Sequence, residues 1–324
     1  MSGRRRTGRR LLRTFLPILL LLAAAVAAAV GWIVYGVSHP SRRPYLVTPE
    51  KFSQLSDRGL KVTDETWANR DQTQARGWLL RGAEGAPAVI LLHRFGADRS
   101  WLLNLGVKLN ETTNYTVLWP DLRGHGMNPT VPWTSFGTRE AEDVAAALDY
   151  LRTLKTAQGH SLVGDTVGLY GVELGAYAAL EAAARNQSVH ALVLDSVPAA
   201  PDDLLRAAVK ERTGMDNSLL QALTQCGMRV YFLGDYKNDA ACAAAHSLNT
   251  QRVSLLTGEE AGSLRDSTIA LAQCFPNQSN VEIKSDLPLT GFNLPSATGE
   301  QGEAYDRRVI DFFDRALRQQ RTTP

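Results

Sequence analysis

A single carboxylate stands at the point where a strand is expected to turn into a helix. Glu173 lies between Gly171 and Gly175, within the stretch LYGVELGAYAAL (residues 169–180). The two glycines allow the backbone to turn tightly and to approach other segments closely. A carboxylate there could attack a substrate as a nucleophile or take a proton from water as a general base. It could also be a structural or ligand-binding group, since a helix N-terminus favours negative charge.

Alternating strands and helices must position this turn. Short apolar runs bounded by turn residues predict strands, and apolar residues at helical spacing predict helices. The alternation predicts an α/β fold with a mostly parallel, doubly wound sheet of about eight strands and an antiparallel hairpin at one edge. The predicted strands are Lys61–Ala68, Gln74–Arg81, Ala88–His93, Tyr115–Pro120, Thr166–Tyr170, Ala191–Asp195, Val253–Thr257 and Val281–Lys284, and the predicted helices are Glu140–Leu154, Leu174–Arg185 and Ala304–Leu317.

The N-terminus carries a basic segment followed by a long apolar one. Six of residues 1–13 are arginines, and the uncharged run FLPILLLLAAAVAAAVGWIVYGV follows. About 20 apolar residues are enough for a helix to cross a bilayer, so residues 14–38 predict a transmembrane signal anchor. The basic tail should stay in the cytoplasm, which places the rest of the chain outside. A cleavable signal peptide is the alternative, although its apolar region is normally shorter.

The remaining chain predicts a linker and one globular domain. Residues 39–58 are polar and contain three prolines, which is typical of a linker, and residues 59–320 form the predicted α/β domain. The net charge of +2 includes the six N-terminal arginines, so the domain itself is mildly acidic and nothing indicates a nucleic-acid partner. The cysteines allow at most one internal disulfide, and no C-x-x-C or H-E-x-x-H spacing supports a metal site. No cofactor is expected. The three cysteines are Cys226, Cys242 and Cys274.

Four segments of the domain carry motifs in a fixed order. They are LLHRFGADRS (Leu91–Ser100), DLRGHG (Asp121–Gly126), SFGTREAEDVAAALDYLR (Ser135–Arg152) and the strand, turn and helix around Glu173. Together they resemble the α/β-hydrolases, and especially membrane-anchored bacterial serine hydrolases of the prolyl-oligopeptidase and serine-aminopeptidase type. The resemblance implies an α/β-hydrolase fold from about residue 59 onward, preceded by one transmembrane helix in the bacterial inner membrane.

The resemblance also implies where a catalytic triad should lie. The nucleophile belongs on the sharp turn between strand and helix, and the acid and the histidine follow the two later strands. In this chain these positions hold Glu173, Ala261 in TGEEAGS and Phe292 in LPLTGFNLP. No histidine follows His246. The sequence therefore predicts a degenerate triad.

Other carboxylates offer alternative positions for the acid. The segment RVYFLGD imitates a strand followed by an acid-bearing turn, with Asp235 and Asp239 as candidates. Its spacing to the C-terminus is poorer than that of Val253–Thr257. Glu259 and Glu260 lie beside the expected acid position, but without a histidine they have nothing to orient.

The loop after the strand that ends at His93 also departs from the family pattern. Relatives have glycine where this chain has Arg94, and the N–H groups of Phe95 and Leu174 correspond to the oxyanion-hole donors. A lone buried guanidinium and a lone buried carboxylate would each be costly, so we expect an ion pair between Arg94 and Glu173 that plugs the site. In the alternative, Arg94 points to solvent. The resemblance gives bracing rather than catalytic roles to His93, Arg123 and His125.

These observations lead to two main functional hypotheses. The first is a membrane-anchored, non-catalytic relative of serine hydrolases that binds a small molecule or a partner protein. The alternative is a hydrolase of ester or amide substrates that uses Glu173 at the nucleophile position. A membrane-tethered scaffold without a ligand is a third possibility.

Overall fold

An eight-stranded sheet forms the centre of the computed structural model, which describes residues 3–56, 61–127, 129–294 and 299–318. The strand order is β1-β2-β4-β3-β5-β6-β7-β8. Strand β2 is antiparallel to both of its neighbours, and all other neighbouring strands are parallel. The strands are β1 (Val62–Ala68), β2 (Gln74–Leu80), β3 (Ala86–Leu92), β4 (Thr116–Pro120), β5 (Val163–Val172), β6 (Val189–Asp195), β7 (Arg252–Gly258) and β8 (Val281–Leu287).

Helices cover both faces of the sheet. Alternate residues of β3 point to opposite cores, with Ile90 in one hydrophobic cluster and Leu91 in the other. The cluster that contains Leu91 includes residues of α3 and α10, and the other cluster includes α4 to α9. The helices are α1 (Gly3–Ser38), α2 (Pro49–Ser56), α3 (Leu103–Thr113), α4 (Thr138–Thr153), α5 (Leu174–Ala184), α6 (Pro201–Thr213), α7 (Ser218–Tyr231), α8 (Ala241–Ala245), α9 (Ser263–Leu271) and α10 (Glu300–Arg318).

The architecture confirms the predicted fold class. All eight predicted strands are present, with ends that differ by a few residues, and the first two form the antiparallel hairpin. The strand-like segment RVYFLGD is not a strand, because α7 continues to Tyr231 and the chain then turns. Its first three residues, Arg229–Tyr231, form the end of the helix that begins at Ser218. The acid-bearing strand of the resemblance therefore corresponds to β7.

The segment between the apolar helix and the domain is packed onto the domain. Residues 39–56, predicted as part of a linker, contain α2, while residues 57–60 lie outside the described part of the chain. The Tyr45 hydroxyl donates to Asp121 Oδ2 at 2.7 Å, and the Leu46 N–H donates to Ser100 Oγ at 3.0 Å. These contacts hold the segment against the loops that follow β3 and β4.

The end of α1 also packs on the domain. Ile33, Val34 and Val37 are buried in the cluster that includes α6 and α7. The stretch Phe15–Ser38 is long and apolar enough to cross a membrane, and most of it is exposed in the structure. A single such helix is consistent with a single-pass anchor.

One disulfide closes part of the chain. Cys242 at α8 is bonded to Cys274, which follows α9, and Cys226 on α7 is a free, exposed thiol. This pairing agrees with the expectation of at most one internal disulfide. Disulfides persist in oxidising compartments, so the bond suits a domain outside the cytoplasm.

Reduction of this disulfide should destabilise the domain. The bond joins residues separated by 32 positions, and a loop of that size restricts the unfolded chain by about 3–4 kcal/mol. We expect Cys242→Ser with Cys274→Ser to lower the midpoint of denaturant unfolding of the full chain in detergent. Cys226→Ser is the matched control and should leave the midpoint unchanged. Equal midpoints for the wild-type chain, the double variant and Cys226→Ser would show that the disulfide does not stabilise the fold.

Candidate active site at the Glu173 turn

The turn at Glu173 has the strained backbone of an exposed-nucleophile turn. Glu173 follows β5 and precedes α5, with φ of 51° and ψ of −107°. Non-glycine residues rarely adopt positive φ unless their surroundings impose it. Both flanking glycines are needed for space: a Cβ on Gly171 would lie 2.3 Å from Gly175 O, and one on Gly175 would lie 2.5 Å from Leu92 O. The strain is therefore imposed by close packing of β5, α5 and the end of β3.

The Glu173 carboxylate accepts a hydrogen bond from the backbone N–H that the resemblance assigned to the oxyanion hole. The Phe95 N–H donates to Glu173 Oε2 at 3.0 Å. The side chain is only 8% exposed. Its own backbone N–H donates to Asp195 O at 2.9 Å, which ties the turn to the end of β6. The carboxylate thus lies inside the loop cluster and not in an open cleft.

Burial raises the pKa of Glu173 to about 7. The charge of Arg94 and the hydrogen bond from the Phe95 N–H act in the opposite direction and limit the rise. Near neutral pH the group is therefore divided between its protonated and charged forms. A carboxyl with this pKa can accept or release a proton under physiological conditions.

The predicted ion pair between Arg94 and Glu173 is wrong as a direct contact. Arg94 Nη1 donates to Phe95 O at 3.1 Å, and its guanidinium lies over the rings of Trp101 at 4.7 Å and Phe292 at 5.4 Å. Arg94 Nε is buried without a hydrogen-bond partner, so this side chain does not simply extend into solvent either. Two aromatic faces provide an alternative site for the cation, and Arg94 acts on Glu173 only through its field.

The other two predicted triad positions lie in loops that meet this cluster. Phe292 contributes a ring to the Arg94 site. Ala261 is buried at the end of a short 3₁₀ turn after β7. The two loops are joined by a hydrogen bond from Asn293 Nδ2 to Glu260 Oε2 at 2.8 Å. Residues 295–298, which include the end of LPLTGFNLP, lie outside the described part of the chain.

Asp195 connects the turn to the loop of Phe292. Its Oδ2 accepts hydrogen bonds from Gly291 N at 2.7 Å and from the Tyr305 hydroxyl at 2.5 Å, and its Oδ1 accepts one from the Ser196 hydroxyl at 2.6 Å. Burial raises the pKa of Asp195 to about 6, and the three donors oppose this rise. Asp195 is therefore a buried anchor for the loop after β8.

The histidines nearest to the loop cluster are committed to backbone contacts. His93 Nε2 accepts from Leu122 N at 3.0 Å, and its Nδ1 lies 2.8 Å from Arg94 O. The Nδ1 of His125 lies 2.9 Å from Arg123 O. Burial lowers the pKa of each of these histidines to about 4, so both rings are neutral at pH 7. In the described part of the chain neither ring bonds to Glu173.

Aromatic packing fixes the loop that carries the N–H donor. The Phe95 ring is stacked on Phe136 at 5.2 Å and meets the His125 ring edge-on at 5.4 Å.

Leu174, the other predicted donor, is the first residue of α5 and is fully buried. Arg123 forms hydrogen bonds with Asp143 from its Nε and Nη2 atoms. Each of these contacts holds a loop in place.

Two contributors were missed by the sequence reasoning. Trp101 follows the LLHRFGADRS segment directly, and its pairing with Arg94 depends on a side-chain direction that the sequence does not encode locally. Asp195 is the second, because only the folded chain brings Gly291 and Tyr305 to it. Among the described residues, no group of histidine, cysteine and carboxylate side chains could hold a metal ion.

The best-defined cavities do not reach the Glu173 carboxylate. Glu173 lines none of the five best-defined cavities in the described part of the chain. One of them lies beside Arg123 and Asp143, and another, lined mostly by apolar side chains, lies between α1 and α7. The predicted site is therefore closed around its carboxylate.

The strand order, the strained turn after β5 and the loops that converge on it can be compared with solved structures. Esterase Pf2001 of Pyrococcus furiosus superposes with a TM-score of 0.60 at 20% identity, over 86% of this chain and 99% of that one. The protein has the α/β-hydrolase fold. The α/β-hydrolase GrgF of Penicillium sp. sh18 matches with a TM-score of 0.59 at 18% identity, over 80% of this chain and 100% of that one.

A larger enzyme shares the same fold over part of its length. The acylaminoacyl peptidase of Pyrococcus horikoshii matches with a TM-score of 0.55 at 11% identity, over 84% of this chain and 44% of that one. No protein-family model matches the sequence, and no curated protein matches it either. The similarity is thus one of fold, and the chemistry must be argued from the site.

The buried carboxyl should leave a signature in the pH dependence of stability. Folding raises the pKa of Glu173 from 4.5 to about 7. The contribution of this group to the free energy of unfolding is therefore fully present below pH 4.5 and is lost as the pH rises through 7. Relative to Glu173→Gln, the wild-type chain should lose roughly 3 kcal/mol of unfolding free energy between pH 4 and pH 8. Denaturant unfolding of both proteins across this range measures the difference. A difference that does not change with pH would contradict the buried, titrating carboxyl.

Proposed function

We propose that this chain is a membrane-anchored α/β-hydrolase-fold protein that does not catalyse hydrolysis. The observation that carries the proposal is the hydrogen bond from Phe95 N–H to the Glu173 carboxylate. Acyl transfer needs such a donor to be available for the oxyanion that develops in the transition state. Here the donor is satisfied by a side chain of the protein itself.

The rest of the site supports the same proposal. Serine-hydrolase chemistry needs a histidine to move the proton, and His93 uses both ring nitrogens in backbone contacts. The corresponding triad position holds Phe292, whose ring faces the Arg94 guanidinium. The acid position holds the methyl side chain of Ala261. A substrate acyl group would have to displace the Glu173 carboxylate from the Phe95 N–H.

The closed site favours a partner protein over a small molecule as the ligand. A small-molecule site is normally a preformed concave pocket with a few polar groups. The Glu173 side chain is almost fully buried, and the best-defined cavities among the described residues lie elsewhere. Binding would then use the outer surface of the domain, and the former active site would contribute only stability.

Membrane anchoring is supported by two features of α1, and an extracytoplasmic position of the domain is supported by its disulfide. The apolar part of α1 is long enough to span a bilayer. Trp32 and Tyr35, near its end, are 63% and 56% exposed, as suits residues at a membrane interface. The disulfide between Cys242 and Cys274 suits an extracytoplasmic domain. The orientation with the N-terminus in the cytoplasm follows from the arginines before the span.

One observation favours a second candidate function, hydrolysis that uses Glu173. Its pKa of about 7 is the value expected for a general base that works at neutral pH. In this alternative Glu173 would activate water or attack an ester or amide carbon directly. The Phe95 N–H would have to release the carboxylate first.

Activity assays separate the two functions. We expect the purified full chain in detergent to hydrolyse neither short-chain nitrophenyl esters nor aminoacyl amides, and to resist labelling by fluorophosphonates, because the Phe95 N–H is taken by Glu173 and the turn carries no serine. Turnover that is present in the wild-type chain and lost in Glu173→Gln would establish the alternative. Glu50→Gln, at an exposed carboxylate on α2, is the matched control and should have no effect.

A further inference from the structure

Helix α7 presents an apolar stripe outward in addition to the residues that it packs on the core. Helices on the surface of a globular domain normally turn their apolar face inward. In α7 the inward positions are Thr224 and Met228, which are buried. The outward positions recur at intervals of three and four residues and continue just beyond the helix. They are Leu219, Ala222, Cys226, Val230 and Leu233, all of which are exposed.

A groove separates this helix from α1. The two helices touch where Gly227 faces Val30 and Val34. Along this contact they leave a groove of about 610 Å³, whose walls include Leu22 and Val26 on α1 and Leu223 on α7. Its size lies in the range of small-molecule binding sites, but its lining carries almost no polar group that could orient a water-soluble ligand.

One wall of the groove is the segment that qualifies as a membrane span. The stretch Phe15–Ser38 supplies the α1 residues of the groove. The exposed rings of Trp32 and Tyr35 mark where the helix should leave the hydrocarbon layer. The guanidinium of Arg212, from the end of α6, lies 4.6 Å above the Trp32 ring and brings a cation to the same level. The groove therefore extends from the expected headgroup level toward the hydrocarbon.

We propose that the groove between α1 and α7 binds an acyl chain of a bilayer phospholipid. Helix α7 then lies in the headgroup region on the extracytoplasmic side of the same membrane, with its apolar stripe toward the lipid. This inference rests on the proposed anchoring of α1. A lipid surface is the occupant because the groove continues without interruption into the apolar surface of α1 that the bilayer covers. An amphipathic helix with its apolar face in the interface gains the free energy of burying that face.

Charge near the groove mouth fits the same occupant. Arg212 and Arg229 are exposed cations at the ends of α6 and α7. Basic residues beside a membrane surface are attracted to anionic headgroups. An acyl chain in the groove would leave its phosphate at this level. A water-soluble protein partner would gain nothing from the continuity between the groove and the span.

The test uses the full chain in vesicles of phosphatidylcholine and phosphatidylglycerol that contain a phosphatidylcholine with a diazirine in the middle of one acyl chain. After illumination, the labelled peptides are identified by mass spectrometry. We expect label on α7 as well as on α1. Ala27→Trp fills the groove from α1, and Leu223→Trp fills it from α7, so each should remove most of the α7 label. Ala25→Trp, on the opposite side of α1, is the matched control and should leave the α7 label unchanged.

Each result has a distinct meaning. Label on α1 alone would overturn the acyl-chain groove while leaving the anchor intact. Absence of label from both helices would overturn the anchoring as well. The free thiol of Cys226 tests for a second copy of the chain in the groove: efficient oxidative crosslinking between copies at Cys226, with α7 unlabelled, would replace the lipid by a dimer interface. Equal loss of α7 label in Ala25→Trp and Ala27→Trp would also contradict the groove as the binding site.

Discussion

Everything around the candidate site depends on one backbone constraint, the positive φ of Glu173. This conformation persists because Gly171 and Gly175 let β5, α5 and the end of β3 approach to distances that a Cβ would forbid. The same geometry turns the Glu173 side chain back toward the loop after β3, where the Phe95 N–H meets it. A longer or differently placed side chain would lose this bond, and a smaller one would leave the buried N–H without an acceptor. The turn thus fixes both where the carboxylate lies and which donor it takes.

Each charged group around the turn has at least one partner that stabilises its charge. The Glu173 carboxylate has one N–H donor and the field of Arg94, while Arg94 has a carbonyl acceptor and two aromatic faces. A direct ion pair would have required both groups to give up these partners, and a buried ion pair often brings no net gain in stability. Asp195 is also a buried carboxyl group, and its charged form is stabilised by three hydrogen-bond donors from separate segments. Its hydrogen bonds connect the turn, the loop of Phe292 and α10 into one unit.

The sequence was sufficient for the parts of the structure that local patterns encode. Apolar runs and turn residues located all eight strands, and the spacing of Gly171 and Gly175 located the strained turn. The direction of the Arg94 side chain was not predictable in this way, because it is decided by the rings of Trp101 and Phe292, and Phe292 is nearly two hundred residues away in sequence. The prediction of a linker before the domain rests on prolines and polarity, which do not reveal that the Tyr45 hydroxyl donates to the partly buried Asp121. The stripe on α7 was missed because its outward apolar residues violate the usual rule for a surface helix.

The packing of Ile33, Val34 and Val37 against α6 and α7 has a consequence for movement. A protein that hangs from its anchor by a flexible tether can tumble and can sweep a wide radius above the membrane. Here the segment around Tyr45 and the end of α1 are both packed on the domain, and residues 39–56 do not form a free tether. If α1 spans the bilayer, the domain can rotate only about the membrane normal, together with its helix, and it always presents the same side to the surface. Its encounters are then confined to two dimensions, with molecules that diffuse in the same membrane or stand at a fixed height above it.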